Sequence, residues 1–210
     1  MFARTPRLLL RPGFPEDAPA LAKAIGDKMI ARNLAVVPWP YTLRDAEAFL
    51  ASPRDPVLPS FLIFERTEAE PRLVGSCGLG RRPSGAVEMG YWIARPYWGR
   101  GFATEACRAL IEIARALGLP ALEGSHFVDN PASARVLEKL GFEPLGLIAP
   151  RMSCARGEEV PARLMQLRLR TDVVEDDGAI AAQCPGEGRG TGYAARLTFR
   201  LGSCDVSIAA

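Results

Sequence analysis

Trp98-Gly99-Arg100-Gly101-Phe102-Ala103 joins a short aromatic-rich run to an amphipathic one, and glycines at such a junction suit the capture of an anion. The preceding run, Val87-Glu88-Met89-Gly90-Tyr91-Trp92-Ile93, has the composition of a buried strand. The following run places Cys107, Leu110, Ile111, Ala114 and Leu117 on one helical face. A strand that enters a helix through a glycine turn leaves several backbone N–H groups unpaired at the helix start, where the positive end of the helix dipole also lies. Gly99 and Gly101 let the main chain approach phosphate oxygens with no Cβ between, and Phe102, Ala103 and Thr104 occupy the first turn. The chemistry indicated is the binding of a phosphate-bearing cofactor.

A second segment lies about 30 residues downstream. Asn130-Pro131-Ala132-Ser133-Ala134-Arg135-Val136-Leu137-Glu138-Lys139-Leu140-Gly141-Phe142 reads as a short helix, with Asn130 at the N-cap and Pro131 at the first position. Val136, Leu137 and Leu140 form its apolar face and Gly141 its stop. A Rossmann dinucleotide site competes for the glycine run. Position 104 is Thr where that fingerprint needs its third glycine, and the run falls mid-domain.

In this order and spacing the two segments resemble the GNAT N-acetyltransferase superfamily, in its RimJ/RimL-like branch. Trp98, Gly101 and Ala103 match the glycine run, with Trp98 standing where the wider superfamily carries Gln or Arg. The resemblance runs from about Arg7 to Arg170. It implies an acyl-CoA N-acyltransferase fold of the mixed α/β class, a splayed sheet of about seven strands flanked by about four helices. It implies acetyl-CoA as co-substrate, gripped by main-chain N–H groups at the start of the 101–118 helix. Tyr91, Trp92 and Ile93 then lie along the pantetheine through their backbone, on a strand that splays from its parallel neighbour at 121–128. The side chains of Tyr91 and Trp92 read as core aromatics. Asn130 corresponds to a residue touching the pantetheine arm, Ser133 to a hydroxyl near the departing sulfur, and Arg100 and Arg135 are placed to reach the CoA phosphates. Asn130 serves equally as an N-cap and Ser133 as a first-turn capping hydroxyl.

Acetyl transfer to an amine requires a neutral amine, a polarised thioester oxygen and a stabilised thiolate. An α-amino group, with a reference pKa of about 7.8, loses its proton far more readily than lysine at about 10.4. Glu88 is the candidate base, two residues before Gly90 and on the same face of the strand; the alternatives are a solvated strand carboxylate and a water relay. Cys77 and Cys107 read as buried thiols and His126 as a packing residue, so direct attack in a ternary complex is favoured over an acetyl-cysteine. By analogy the acceptor lies near Trp39, Tyr41 and the proline-rich loop at 53–59. The expected acceptor is a protein N-terminal α-amine or a small-molecule amine. The competing function is an acyl-CoA-binding sensor that does not catalyse.

A net charge of +2 on 210 residues excludes a strong field directed at nucleic acid or membrane. Five cysteines with no C-x-x-C pair and a single histidine offer neither a complete disulfide framework nor a zinc site, and no metal is expected. No run reaches 18 apolar residues, which points to a cytoplasmic protein; a monomer or a homodimer is expected. One catalytic domain is expected over 1–170. In the remainder, 171–210, an acidic and glycine-rich stretch reads as a linker; Arg196–Leu201 alternates as an added edge strand would, and the alternative is a poorly ordered extension.

Overall fold

The structure, a computed structural model, describes residues 1–169 and the backbone of two further strands, Arg196–Leu201 and Cys204–Ala209. The chain begins with β1 (Ala3–Arg4) and β2 (Leu8–Arg11), then α1 (Ala18–Ile25), α2 (Lys28–Ala31) and α3 (Leu43–Ala51). Next come β3 (Ser60–Glu65), β4 (Arg72–Arg81), β5 (Val87–Ile93), α4 (Phe102–Ala116), β6 (Ala121–Phe127) and α5 (Pro131–Lys139). A long hairpin of β7 (Glu143–Ser153) and β8 (Glu158–Arg168) follows. The final strands, β9 (Arg196–Leu201) and β10 (Cys204–Ala209), pair antiparallel in a two-stranded sheet. The expected linker at 171–195 lies outside the described residues.

Eight strands form one mixed sheet in the order β1-β2-β3-β4-β5-β6-β8-β7. Every neighbouring pair is antiparallel except β5 and β6, which are parallel. On one face α4 and α5 bury Phe102, Cys107, Leu110, Ile111 and Leu137 against Ile63, Val74, Cys77 and Met89. On the other, Leu21 of α1 and Ala46 and Leu50 of α3 cover Leu62 and Phe64. The strand alternation of β5 divides its residues between the layers: Val87, Met89 and Ile93 join the α4 side, and Trp92 packs against the clusters on the α1 side. Leu110 is fully buried, and Leu110→Ala costs about 2–5 kcal/mol by cavity formation.

Local signals explain most boundaries. Thr42 and Asp45 cap α3 reciprocally, as the S/T-x-x-D spacing predicts, and Asn130 caps α5 by accepting from the Ser133 N–H at 3.2 Å. The sheet exceeds the seven strands expected, because β1 adds a two-residue rung on β2. The helices exceed four because α2, a single turn, forms where the Asp27 carboxylate accepts from the Met29 N–H at 2.7 Å. β7 reaches Ser153 through a register shift between Pro144 and Ile148, where Gly146 adopts φ +73°. Its far half carries Arg151 into the site. Among the described residues, no helix is long and apolar enough to cross a membrane.

Candidate active site

The junction from β5 to α4 has the geometry an anion site needs. Gly99 and Gly101 sit at φ +76° and +79°, a region that side chains with a Cβ disfavour. Gly101 is the N-cap of α4 and makes no side-chain capping bond, so the N–H groups of Phe102, Ala103 and Thr104 at the helix start have no carbonyl within the helix. Trp98 donates its indole N–H to the Ile93 carbonyl at 2.7 Å, tying the loop back to the end of β5. Arg100 lies 3.8 Å from Glu65 and 5.1 Å above the Tyr97 ring.

The loop is braced from the N-terminal strands. Glu105, in the first turn of α4, accepts from the Thr5 hydroxyl at 2.6 Å, the Arg7 main chain at 3.0 Å and the Arg7 Nε at 2.7 Å. Arg7 also donates to the Arg100 carbonyl at 3.0 Å. Burial acts to raise the Glu105 pKa, but Thr5 and Arg7 outweigh it, and the carboxyl lies below its ordinary value. Sequence reasoning missed this brace, since its partners stand 98 residues apart.

β5 and β6 pair at a single rung, Glu88 opposite Glu123. No further rung joins them toward their C-terminal ends, where the resemblance implies a splay. A Cβ built at Gly90 would meet nothing within 4 Å, so β5 has open space where its backbone faces the α1 side. Across the opening, α5 sits close on β6: a Cβ at Gly124 would approach Leu137 and Phe142 at 3.1 Å. This contact sets where Ser133 stands. The Ser133 hydroxyl lies 2.8 Å from the Tyr91 hydroxyl, which also lies 3.2 Å from the Ser133 carbonyl. Tyr91 packs its ring on the main core, so the core reading holds for the ring while its hydroxyl reaches the first turn of α5. Arg135 is exposed on α5.

On the opposite face Glu88 does not stand alone. Arg151 binds it through both terminal nitrogens, at 2.5 and 2.8 Å, and the Ser125 hydroxyl donates to it at 2.9 Å. Arg151 also contacts the Ser125 oxygen, and Arg82 lies 3.8 Å from Glu88 and 3.5 Å from Glu123. Burial is the largest single influence on Glu88 and raises its pKa; Arg151, Arg82 and Ser125 together reverse that and hold it below its ordinary value of 4.5. Glu88 is therefore ionised at neutral pH. Arg151 had no signal in the sequence, because it reaches Glu88 from 63 positions away in the chain.

Tyr41 packs with Trp92 beside α2, and burial, aided by Asp45, pushes its phenol pKa up. Trp39 is 39% exposed. The loop at 53–59 inserts Leu58 into the main core and is tied by Arg54 to the Gly13 and Ser60 carbonyls. Beyond Asn130, Asp129 receives Arg156 at 2.8 and 3.0 Å and Arg32 at 3.0 Å, which fastens the β7–β8 turn to the segment after α2. Cys77 and Cys107 are fully buried, and burial pushes both thiols up. His126 is buried with its Nδ1 2.9 Å from the Phe127 carbonyl. Among the described residues there is no cluster suited to a metal ion.

A glycine-started helix beside a parallel pair joined at one rung defines a nucleotide-thioester acyltransferase architecture. The chain belongs to the GNAT acetyltransferases: the family model described as acetyltransferase (GNAT) domain matches residues 7–143. Among curated proteins, the uncharacterized N-acetyltransferase p20 of Bacillus licheniformis is 29% identical over 153 residues, 69% of this chain and 83% of its own length. A GNAT-family acetyltransferase from Bacillus anthracis superposes with a TM-score of 0.69 at 20% identity, over 80% of this chain and 98% of that one. RimL, a ribosomal L7/L12 α-N-protein acetyltransferase solved with coenzyme A, gives a TM-score of 0.67 at 18% identity, over 82% of this chain and 100% of its own. The chain is thus an acetyltransferase of a family that uses acetyl-CoA.

Proposed function

We propose that this protein transfers an acetyl group from acetyl-CoA to a primary α-amine, by direct attack in a ternary complex. The acceptor class is a protein N-terminus or a small molecule bearing such an amine. The observation that carries the reading is the pairing of β5 with β6 at one rung only, beside a helix whose first turn offers free N–H groups. An extended thioester-bearing arm fits between the strands, with its diphosphate at Gly99–Thr104. Acetyl-CoA supplies the activated acyl group and a thiol leaving group. Trp98, Gly99, Arg100, Gly101, Phe102, Ala103 and Thr104 hold the phosphates, joined by Arg135. Tyr91, Trp92, Ile93 and Asn130 line the arm, and Ser133 donates a hydrogen bond to the developing thiolate.

Glu88 favours the α-amine over lysine. Arg151 holds its carboxyl ionised with a depressed pKa and compensates its charge, so it is a weak acceptor for an ammonium proton. An α-amine needs little help, since a sizeable fraction is neutral near pH 7, whereas lysine at about 10.4 demands a stronger base. Glu88 then orients the amine, directly or through water that carries the proton to solvent. Thiol release from acetyl-CoA, followed against a panel of N-terminal peptides, amino acids, polyamines and lysine-side-chain peptides, tests the reading. Turnover with α-amines ahead of lysine supports it. Tight binding of CoA with no turnover across the panel assigns a sensor instead.

A further inference from the structure

The reaction above gives no role to the Tyr91 hydroxyl, which stands beside Ser133. Tyr91 projects from β5, on one side of the opening, and Ser133 from the first turn of α5, on the other side. Their hydroxyls stand 2.8 Å apart. We propose that Tyr91 is a positioning residue for the thiolate-facing proton of Ser133, donating to the serine oxygen so that the serine proton is left for the sulfur. The inference rests on the assignment of Ser133 made above.

A proton inventory carries the argument. Each hydroxyl has one proton, and there are two arrangements in which the hydroxyls bond each other. In the first, Tyr91 donates to the Ser133 Oγ, and the serine proton points elsewhere. In the second, Ser133 donates to the Tyr91 oxygen, and Tyr91 donates to the Ser133 carbonyl at 3.2 Å. The Ser133 backbone N–H does not enter the choice, because it is committed to the Asn130 Oδ1. With a neutral thioester beside it, either arrangement holds two ordinary bonds. As negative charge grows on sulfur, the first gains a charge-assisted bond and the second gains nothing. Tyr91 therefore acts on the step in which charge appears, and little on binding. Burial raises the phenol pKa of Tyr91, which keeps its proton in place through the neutral range. The ring is anchored on the main core, so the donor cannot swing away.

The test is a double-substitution cycle with Tyr91→Phe and Ser133→Ala, read in two ways. The first readout needs no acceptor: the pH at which the thiol of bound CoA ionises, followed by thiolate absorbance in the ultraviolet. The expected result is that this thiol titrates at lower pH on the wild type than on Tyr91→Phe or Ser133→Ala, and that adding Tyr91→Phe to Ser133→Ala shifts it no further. The second is kinetic: Tyr91→Phe lowers kcat about tenfold with KM for acetyl-CoA within about twofold, and changes kcat by less than about twofold in the Ser133→Ala background. Equal thiol titration in all four proteins overturns the inference, as does a Tyr91→Phe effect that persists undiminished without the Ser133 hydroxyl. A wild type that shifts the CoA thiol as described but turns over no amine overturns the enzymatic reading while the inference stands. No binding of CoA at all removes both. Tyr91→Phe keeps the ring in the core, and a thermal melt within a few degrees of wild type separates loss of the hydroxyl from loss of the fold.

Discussion

Arg151 meets Glu88 end-on, each terminal nitrogen facing one carboxylate oxygen at 2.5 and 2.8 Å, across 63 residues of chain. The pair joins the edge hairpin to the strand beside the opening, and it is only partly screened: the side chains are 29% and 17% exposed.

Removing the cation alone leaves a carboxylate in a site that disfavours charge. Arg151→Met is expected to cost about 2–3 kcal/mol at pH 7, somewhat under the value for a fully buried pair. In the wild type the Glu88 pKa is depressed on folding, so its contribution is complete above about pH 4.5 and is lost as pH falls through the lower folded value. In the variant, burial acts unopposed by Arg151 and raises that pKa. The penalty is then largest at neutral pH and shrinks on acidification. Urea unfolding of both proteins from pH 7 to pH 3.5 checks this; a penalty that grows toward acid rules the argument out.

Gly101→Ala places a Cβ at φ +79° and costs about 1–2 kcal/mol of backbone strain. Because the strain falls on the start of α4, CoA affinity should drop about tenfold by calorimetry, the equivalent of about 1.4 kcal/mol. Gly118→Ala is the control, with φ +69° just past the far end of the same helix. It should lose comparable stability and no affinity. Equal losses of affinity in both variants contradict a phosphate site at the helix start.

Ser133→Ala removes the proposed donor to sulfur. The expected outcome is a kcat lower by about 10- to 1000-fold with CoA affinity little changed. Steady-state kinetics beside a CoA titration measure both, and an unchanged kcat takes Ser133 out of the chemistry.

Gly124→Val wedges carbon between β6 and α5, where even a Cβ would stand 3.1 Å from Leu137 and Phe142. We expect about 1–3 kcal/mol of destabilisation and a fall in kcat, since the helix that moves carries Ser133. Adding Leu137→Ala, which makes room, should recover part of the turnover despite its own cost in cavity. Failure to recover any points to damage other than displacement of α5.

How much of this was readable in the sequence varied with how local the cause is. The β5 strand, the glycine start of α4 and the caps of α3 and α5 are decided by residues within a few positions of one another, and each appears where its pattern places it. The single-turn α2 left no helical period to read, and β1 is two residues long. The partners of Glu88 and Glu105 come from segments brought together by topology, Arg151 from the far half of the eleven-residue β7. Tyr91 illustrates the same limit: its ring obeys the strand pattern, while its hydroxyl answers to a helix 42 residues away.

The lone rung between Glu88 and Glu123 has a consequence for how the protein meets its co-substrate. From Met89 onward β5 shares no ladder rung with β6, and the co-substrate proposed above brings an extended, amide-bearing arm whose groups can pair with strand backbone. On the proposed reading, recognition is written in main-chain atoms, which substitutions cannot delete, and the side chains around the acceptor are left at liberty to diverge.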